Sequence, residues 1–392
     1  MAIKSRPLVF LASLVVLTLL FFAPSFAAKR EPGRLFYNTA SFGFFKLDDF
    51  QSPLFILENN FEYNDLFLGV DLNLYTSERK PQSLDNIILR TAVWDTGTEG
   101  VRYETIEDLT YGQGLLLNGY STLDFTPVKY PNSAVGLRGY YLSDYFDVDA
   151  FATYSHLYGA RVSEDVFGLF TFGQTYLSAA DGEKIVSRKG IENTIEPRSG
   201  VACDIWAPIV GDFDLYAEAA KLNGSGSGYS LGVHWGYNVI FAYINGNAEI
   251  RHAEPGFVPG YFGWGYEMDP VDISSFESIG KERVGYFAQL KGFIFNILNV
   301  TVAAEGYQDS NGAFYLDSSL KVFETLRVAA YIKQPTFAGY RYAGFNDGTL
   351  LGGSIHYDVS PSTFLDLSAK KYFDPLSGNA VQSSVMSIGV IF

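Results

Sequence analysis

Acid, base or nucleophilic catalysis needs particular side chains within reach of one another, and this 392-residue chain is poor in them. It carries four histidines, His156, His234, His252 and His356, and one cysteine, Cys203. A triad-type hydrolase needs a His beside a nucleophile and a carboxylate to orient it. His156 follows Ser155 directly, a pairing too common to define a site, while His234 and His356 fall in regularly alternating segments where a structural role accounts for them. Gly224-Ser225-Gly226-Ser227-Gly228 matches a nucleophile elbow only loosely, with Ser at the wrong offset, and reads as a loop tip. Gly112-Gln113-Gly114 lacks the Lys and the helix start of a phosphate loop. There is no His-Glu-x-x-His pair, and a lone Cys excludes a disulfide framework or a multi-Cys metal site. The expectation is a chain that is not an enzyme and needs neither cofactor nor metal.

The other chemistry available is charge. Asp plus Glu number 43 against 28 Lys plus Arg, for a formal charge of −15. A nucleic-acid partner would require the opposite balance, because binding rests on cations displacing counterions from phosphate. Many of the charges occupy alternate positions of apolar segments: Asp149, Asp204, Glu218, Glu249, Lys291, Glu305, Asp317, Arg327, Lys333, Asp366 and Lys370. Such a set, if it lined a narrow low-dielectric tube, would focus the field and select ions by sign. Acidic residues in excess would favour cations or neutral solutes. The plainer alternative is that many of these carboxylates pair across the interior with Lys and Arg, or are solvated on loops.

The elements that would hold them are strands. From Ile240 to Ile250, Ile240, Ala242, Ile244, Gly246, Ala248 and Ile250 alternate with Phe241, Tyr243, Asn245, Asn247 and Glu249. A strand sends such sets to opposite faces, whereas helical spacing would mix them. The split recurs from Leu298, from Leu326 and from Leu365, and Leu66 to Leu74 alternates as cleanly; Ser83 to Trp94 could be strand, short helix or an inward fold. Short links at 143–145, 237–238, 293–296, 322–324 and 358–362 interleave with longer ones such as 336–346 and 251–281. Tight turns at one rim and long loops at the other make an up-and-down barrel.

Both ends of the chain support this reading. Lys4 and Arg6 precede an uncharged run from Leu8 to Phe22, and Pro24 then Ser25-Phe26-Ala27 provide a cleavage site, so residues 1–27 are expected to be an export signal. Met386, Ile388, Val390 and Phe392 alternate with Ser387, Gly389 and Ile391, and the chain stops on the aromatic. This resembles the closing strand of bacterial outer-membrane β-barrels, porin-like in architecture. The resemblance implies an all-β fold, a single antiparallel up-and-down transmembrane β-barrel over 28–392, embedded in outer-membrane lipids and delivered by the barrel-assembly machinery reading the strand that ends at Phe392. Length divided by the residues used per strand and connection gives about 16 strands, with 14 to 18 allowed. A homotrimer is an open expectation, since trimers are common among 16-strand porins.

Tyr75, Tyr154, Tyr286, Tyr307, Tyr357 and Tyr372 are candidates for the aromatic girdles of such a barrel. The long link 251–281 is too aromatic to extend freely into water, with Phe257, Tyr261, Phe262 and Trp264 beside the acidic Glu267 and Asp269. It should fold into the barrel mouth as a constriction or lie over neighbouring loops as a cap. Tyr111 to Tyr120, with Leu115-Leu116-Leu117, reads as a strand entering a loop. The function expected is a porin-like channel for passive diffusion of small hydrophilic solutes or cations. The competing readings are a non-conducting surface or structural barrel and, with less support, a hydrophobic-solute transporter.

Overall fold

A computed structural model describes residues 36–47, 50–75, 87–122, 135–179, 184–186, 192–194, 198–264, 266, 280–308, 312–337, 349–373 and 380–392. The expected export signal lies outside the described residues. From the amino end the wall runs β1 (Phe36–Leu47), β2 (Phe50–Tyr63), β3 (Leu66–Tyr75), β4 (Ile87–Asp95) and β5 (Glu99–Glu104). A hairpin inserted at this point comprises β6 (Leu109–Tyr111) and β7 (Leu117–Tyr120). The wall resumes as β8 (Gly136–Leu142), β9 (Phe146–Thr153), β10 (Leu157–Val166) and β11 (Phe170–Ala179). A second small hairpin, β12 (Lys184–Val186) and β13 (Glu192–Thr194), precedes β14 (Ser199–Val210), β15 (Phe213–Leu222), β16 (Ser227–Val239) and β17 (Ala242–Ala253). The remaining wall strands are β18 (Arg283–Ile294), β19 (Leu298–Tyr307), β20 (Gly312–Phe323), β21 (Leu326–Phe337), β22 (Leu350–Ser360), β23 (Thr363–Phe373) and β24 (Ala380–Ile391).

Every neighbouring pair in the wall is antiparallel, with β5 pairing β8 and β11 pairing β14 across the insertions. The first and last strands close the ring: the Asn38 N–H donates to the Phe392 carbonyl and the Phe392 N–H to the Asn38 carbonyl, both at 2.9 Å. Closure leaves no edge strand in the described wall, the condition for a sheet to cross hydrocarbon. The connections 64–65, 96–98, 143–145, 167–169, 211–212, 240–241, 295–297, 324–325 and 361–362 all lie at one rim and are two or three residues long. The opposite rim carries the long links 105–135, 180–198, 254–282 and 338–349.

The strand number is the main correction. Twenty strands form the described wall, not about 16 and not within 14 to 18. A count from chain length assumes uniformly long strands, but β5, β8 and β9 are only six, seven and eight residues, and most connections at one rim take two or three residues. The segment 240–250 is also not one strand, because Ile240 and Phe241 form the turn between β16 and β17. Ser83 to Trp94 resolves, from Ile87 onward, into strand β4.

Alternation sorts the wall as expected. Val201, Ile205, Leu215, Leu231, Val233, Tyr286, Leu290, Leu351, Ile355 and Met386 stand exposed on the outside, while their sequence neighbours face inward. An apolar surface running round the whole molecule is far beyond what a water-soluble protein tolerates, and it is what a bilayer requires. The protein is an integral β-barrel of the outer-membrane type. Of the expected girdle tyrosines, Tyr286 and Tyr357 are exposed on the outside and Tyr154 in a connection at the long-loop rim. Tyr307 and Tyr372 share the inward face with Glu305 and Asp366, a correction that follows from their strand parity. The side chain of Tyr75 lies outside the described residues.

Candidate functional site in the barrel lumen

A ring of this many strands encloses more space than wall side chains can fill. Much of it is filled by two segments that fold inward. The first is the inserted hairpin β6–β7 with its turn: Leu115, Leu116, Leu117 and Tyr120 are fully buried, and Tyr111 nearly so. Three consecutive leucines cannot be shared between the two faces of a wall strand, and here all three are enclosed within the lumen. The second is the start of the long link, 254–266, which places fully buried Phe257 and Phe262 beside Tyr261. The two segments are hydrogen-bonded to each other, Gly260 N–H to Leu115 O at 2.8 Å and Phe262 N–H to Leu116 O at 3.1 Å. Phe151, Leu157, Leu177, Ala202, Ala220 and Leu222 of β9 to β15 complete one apolar cluster inside the barrel. The wall is shaped to receive it. A Cβ on Gly228 would run into the Phe257 ring, so a larger residue there would displace the link.

Below this cluster the plug is tied to charge. Glu218 Oε2 accepts from the backbone N–H groups of Gln113 and Leu115, both at 3.0 Å. Gly112 makes this approach possible: its φ is +62°, and an added Cβ would lie 2.9 Å from both Glu218 Oε1 and Asp204 Oδ1. The Tyr111 hydroxyl donates to Asp149 at 2.6 Å. Burial, followed by the Asp149 charge, pushes that phenol well above its ordinary range, so it remains a donor.

The expected lumen carboxylates on this side are nearly all matched by arginines. Asp149 meets Arg138 at 2.5 Å, and Asp204 takes a two-pronged contact from Arg161 at 2.5 and 2.9 Å. Two carboxylates of β3 and β4 that were not among those expected are matched as well: Asp71 meets Arg90 at 2.9 Å, and Asp95 meets Arg102 and the Tyr140 hydroxyl. Arg251 lies wholly buried between Glu249 at 2.5 Å and Glu305 at 3.0 Å, its guanidinium 4.3 Å from the centre of the Phe287 ring. These arginines were not singled out by sequence reasoning. The signal was present, since Arg251 stands two residues from Glu249 and therefore on the same face.

Across the barrel the lining is different. Lys291, Asp317, Arg327, Lys333, Asp366 and Lys370 all belong to the inward parity of β18 to β23. Lys291 is 3.7 Å from Asp108 of the inserted segment, and Arg327 is 3.7 Å from Asp358, so both make loose contacts. Asp366 accepts from His356 Nδ1 at 2.6 Å, and the Lys333 ammonium lies 5.6 Å from the centre of the Trp264 ring. Trp264 in turn stands edge-on to Tyr315. The expected loop residues thus divide: Phe257, Tyr261, Phe262 and Trp264 are inside the barrel, while Glu267 and Asp269 lie outside the described residues. His234 faces inward beside Asp214 at 3.3 Å, and His252 contacts Glu282 at 2.7 Å.

The chain matches no family model and no curated protein. Among solved structures it is similar to OccK3 (OpdO) of Pseudomonas aeruginosa, at 8% identity and a TM-score of 0.42, over 91% of this chain and 95% of that one. It is also similar to the outer membrane protein opdK of Pseudomonas aeruginosa, at 8% identity and a TM-score of 0.39, over 91% and 98%. A third, a BenF-like porin from Pseudomonas fluorescens Pf-5, aligns at 8% identity and a TM-score of 0.41, over 91% and 98%. Likeness this distant says nothing of a solute, and function is read from the lumen alone.

Proposed function

We propose that the protein is an outer-membrane channel for small hydrophilic solutes, with passage confined to the charged side of the lumen bounded by β18 to β24. The observation that carries this is the division of the interior. Two inward segments and an apolar cluster occupy mainly the side of β9 to β17, touching the other wall through Asp108 at Lys291 and Trp264 at Lys333, while Lys291, Asp317, Arg327, Lys333, Asp366 and Lys370 line that opposite wall. A lining that is polar and charged around a water-filled path lowers the barrier for solutes that would not cross lipid. Selectivity is set by this strip and not by the net charge of the whole chain, because most acidic residues behind the plug are matched by arginines. The strip mixes both signs, so discrimination between simple cations and anions is weak, in contrast to the cation preference suggested by composition.

Planar-bilayer recording with purified, heat-modifiable protein tests the reading. Stepwise conductance with a reversal potential near zero in a salt gradient is expected, and Lys333→Glu together with Lys370→Glu moves that potential toward cation selectivity. Pure, folded protein that never conducts would point to a non-conducting surface barrel instead.

A further inference from the structure

The lipid-facing side of β10, β11, β14, β15 and β16 is not smooth. It holds a hollow of about 560 Å³. Strand register arranges its outward side chains in two rows. The deeper row is Val162, Gln174, Cys203, Ala219 and Tyr229, and the row nearer the long-loop rim is Ala160, Tyr176, Val201, Lys221 and Ser227. Cys203 and Ala219 make a low floor, with Tyr176 and Tyr229 exposed on either side of it.

Two of these residues do not belong on a hydrocarbon face. Gln174 is the fifth of ten residues in β11, so its exposed amide points outward at mid-strand among apolar neighbours. An amide there lacks water, and a partner must come from whatever covers it. Lys221 is exposed one residue from the end of β15, at the rim of the long loops, which in such barrels is the outer side. Arg198, one residue before β14, adds a second cation to the same rim, where its guanidinium donates to the Asn223 carbonyl at 3.4 Å, and the nearby Glu254 is turned to the Ser227 N–H at 3.0 Å. Lys221 and Gln174 lie in adjacent outward rows, two residues apart along the strands and two strands apart across the sheet, so about 12 Å separates their backbones. A long Lys side chain spans part of that separation, which leaves a distance one lipid headgroup can bridge.

We propose that this hollow binds one molecule of the phosphorylated, acylated glycolipid of the outer leaflet, with a phosphate on Lys221, an acyl carbonyl accepting from the Gln174 amide, and a chain over Cys203 and Ala219. The charge of the rim selects a phosphate, and the depth of Gln174 selects an acyl linkage below it. The site is independent of the channel reading, since the side chains of its two rows all point away from the lumen.

The test is native mass spectrometry of the delipidated full-length barrel in mild detergent, titrated with bisphosphorylated lipid A. One lipid is expected to bind saturably, and the dephosphorylated analogue to bind much more weakly. Lys221→Glu weakens binding at least about tenfold, as a charge reversal at an anionic surface should. Gln174→Leu weakens it about threefold, the loss of one hydrogen bond. Ala219→Phe fills the floor and removes the bound species; should that variant not migrate as a folded, heat-modifiable band, Cys203→Phe serves the same purpose. Lys46→Glu, an exposed residue near the same rim on β1, leaves binding unchanged. Equal losses from Lys46→Glu and Lys221→Glu, or undiminished binding with the floor filled, would overturn the assignment. Tighter binding of phosphatidylglycerol than of lipid A would overturn it too, as would a lipid-free oligomer that Ala219→Phe splits into single barrels.

Discussion

The two sides of this barrel share one wall architecture and use it differently. From β9 to β17 the inward face meets an apolar plug, and its charges are consumed in close ion pairs such as Arg161 with Asp204. From β18 to β23 the same inward parity includes looser ion pairs, Lys291 and Arg327 each 3.7 Å from a carboxylate, alongside the close Asp366–His356 contact at 2.6 Å. The difference shows what a charged lumen residue is for. Buried next to a plug it must be ion-paired, as Asp204 is, or hydrogen-bonded, as Glu218 is, because a buried charge left without either costs several kcal/mol. On the other side the partners can stand further off, as those of Lys291 and Arg327 do.

The sharpest way to break the contrast is to remove the plug. Replacing 109–120 by a short Gly-Ser linker should make both sides alike and raise single-channel conductance several-fold, roughly as the open cross-section of the lumen grows; an unchanged conductance would mean that the path never ran beside the hairpin. Arg251 stands at the seam between the sides, and Arg251→Met leaves Glu249 and Glu305 buried without a cation. The expected loss is about 3–5 kcal/mol in urea unfolding followed by gel migration.

A smaller effect is expected of Glu218→Ala, which removes the acceptor for two plug N–H groups, each hydrogen bond worth about 1 kcal/mol. Here the readout is current noise, since a loosened plug should flicker while the wall stays folded. The smallest change is Tyr111→Phe, which deletes one hydrogen bond to Asp149 and should cost about 1 kcal/mol with no change in selectivity. If Tyr111→Phe proved more disruptive than Glu218→Ala, the latch would have been placed on the wrong carboxylate.

Much of the wall was legible because a membrane barrel writes its two solvents directly into alternate residues. Val300, Val302 and Ala304 against Thr301, Ala303 and Glu305 could be assigned to faces without coordinates, and the register agrees. The carboxylates chosen from that alternation do face inward. Strand number was not legible, because it depends on how short the wall can be: β5 is six residues and its neighbours hardly longer, and alternation has no term for tilt or shear. The plug was misread for a related reason. Leu109 to Tyr120 has the composition of a strand, and only Leu115-Leu116-Leu117, which alternation cannot divide between two faces, marks it as enclosed on all sides. The arginine partners escaped notice because pairing across strands is set by register, which a single sequence does not fix.

The even number of strands means that β1 and β24 enter and leave at the same rim, that of the short turns, where Asn38 and Phe392 exchange their two hydrogen bonds. The wall is consequently a ring without a preferred beginning. Joining 36 to 392 and reopening the chain at a short turn such as 211–212 would reorder the sequence, yet preserve every rung of the ladder and keep both new ends on the side from which the barrel is inserted. Reopening it at 254–282 would put the ends on the far side and cut the segment that holds Phe257 and Phe262 inside. The same topology thus makes one rim a place where the chain tolerates being cut and the other a place where it does not.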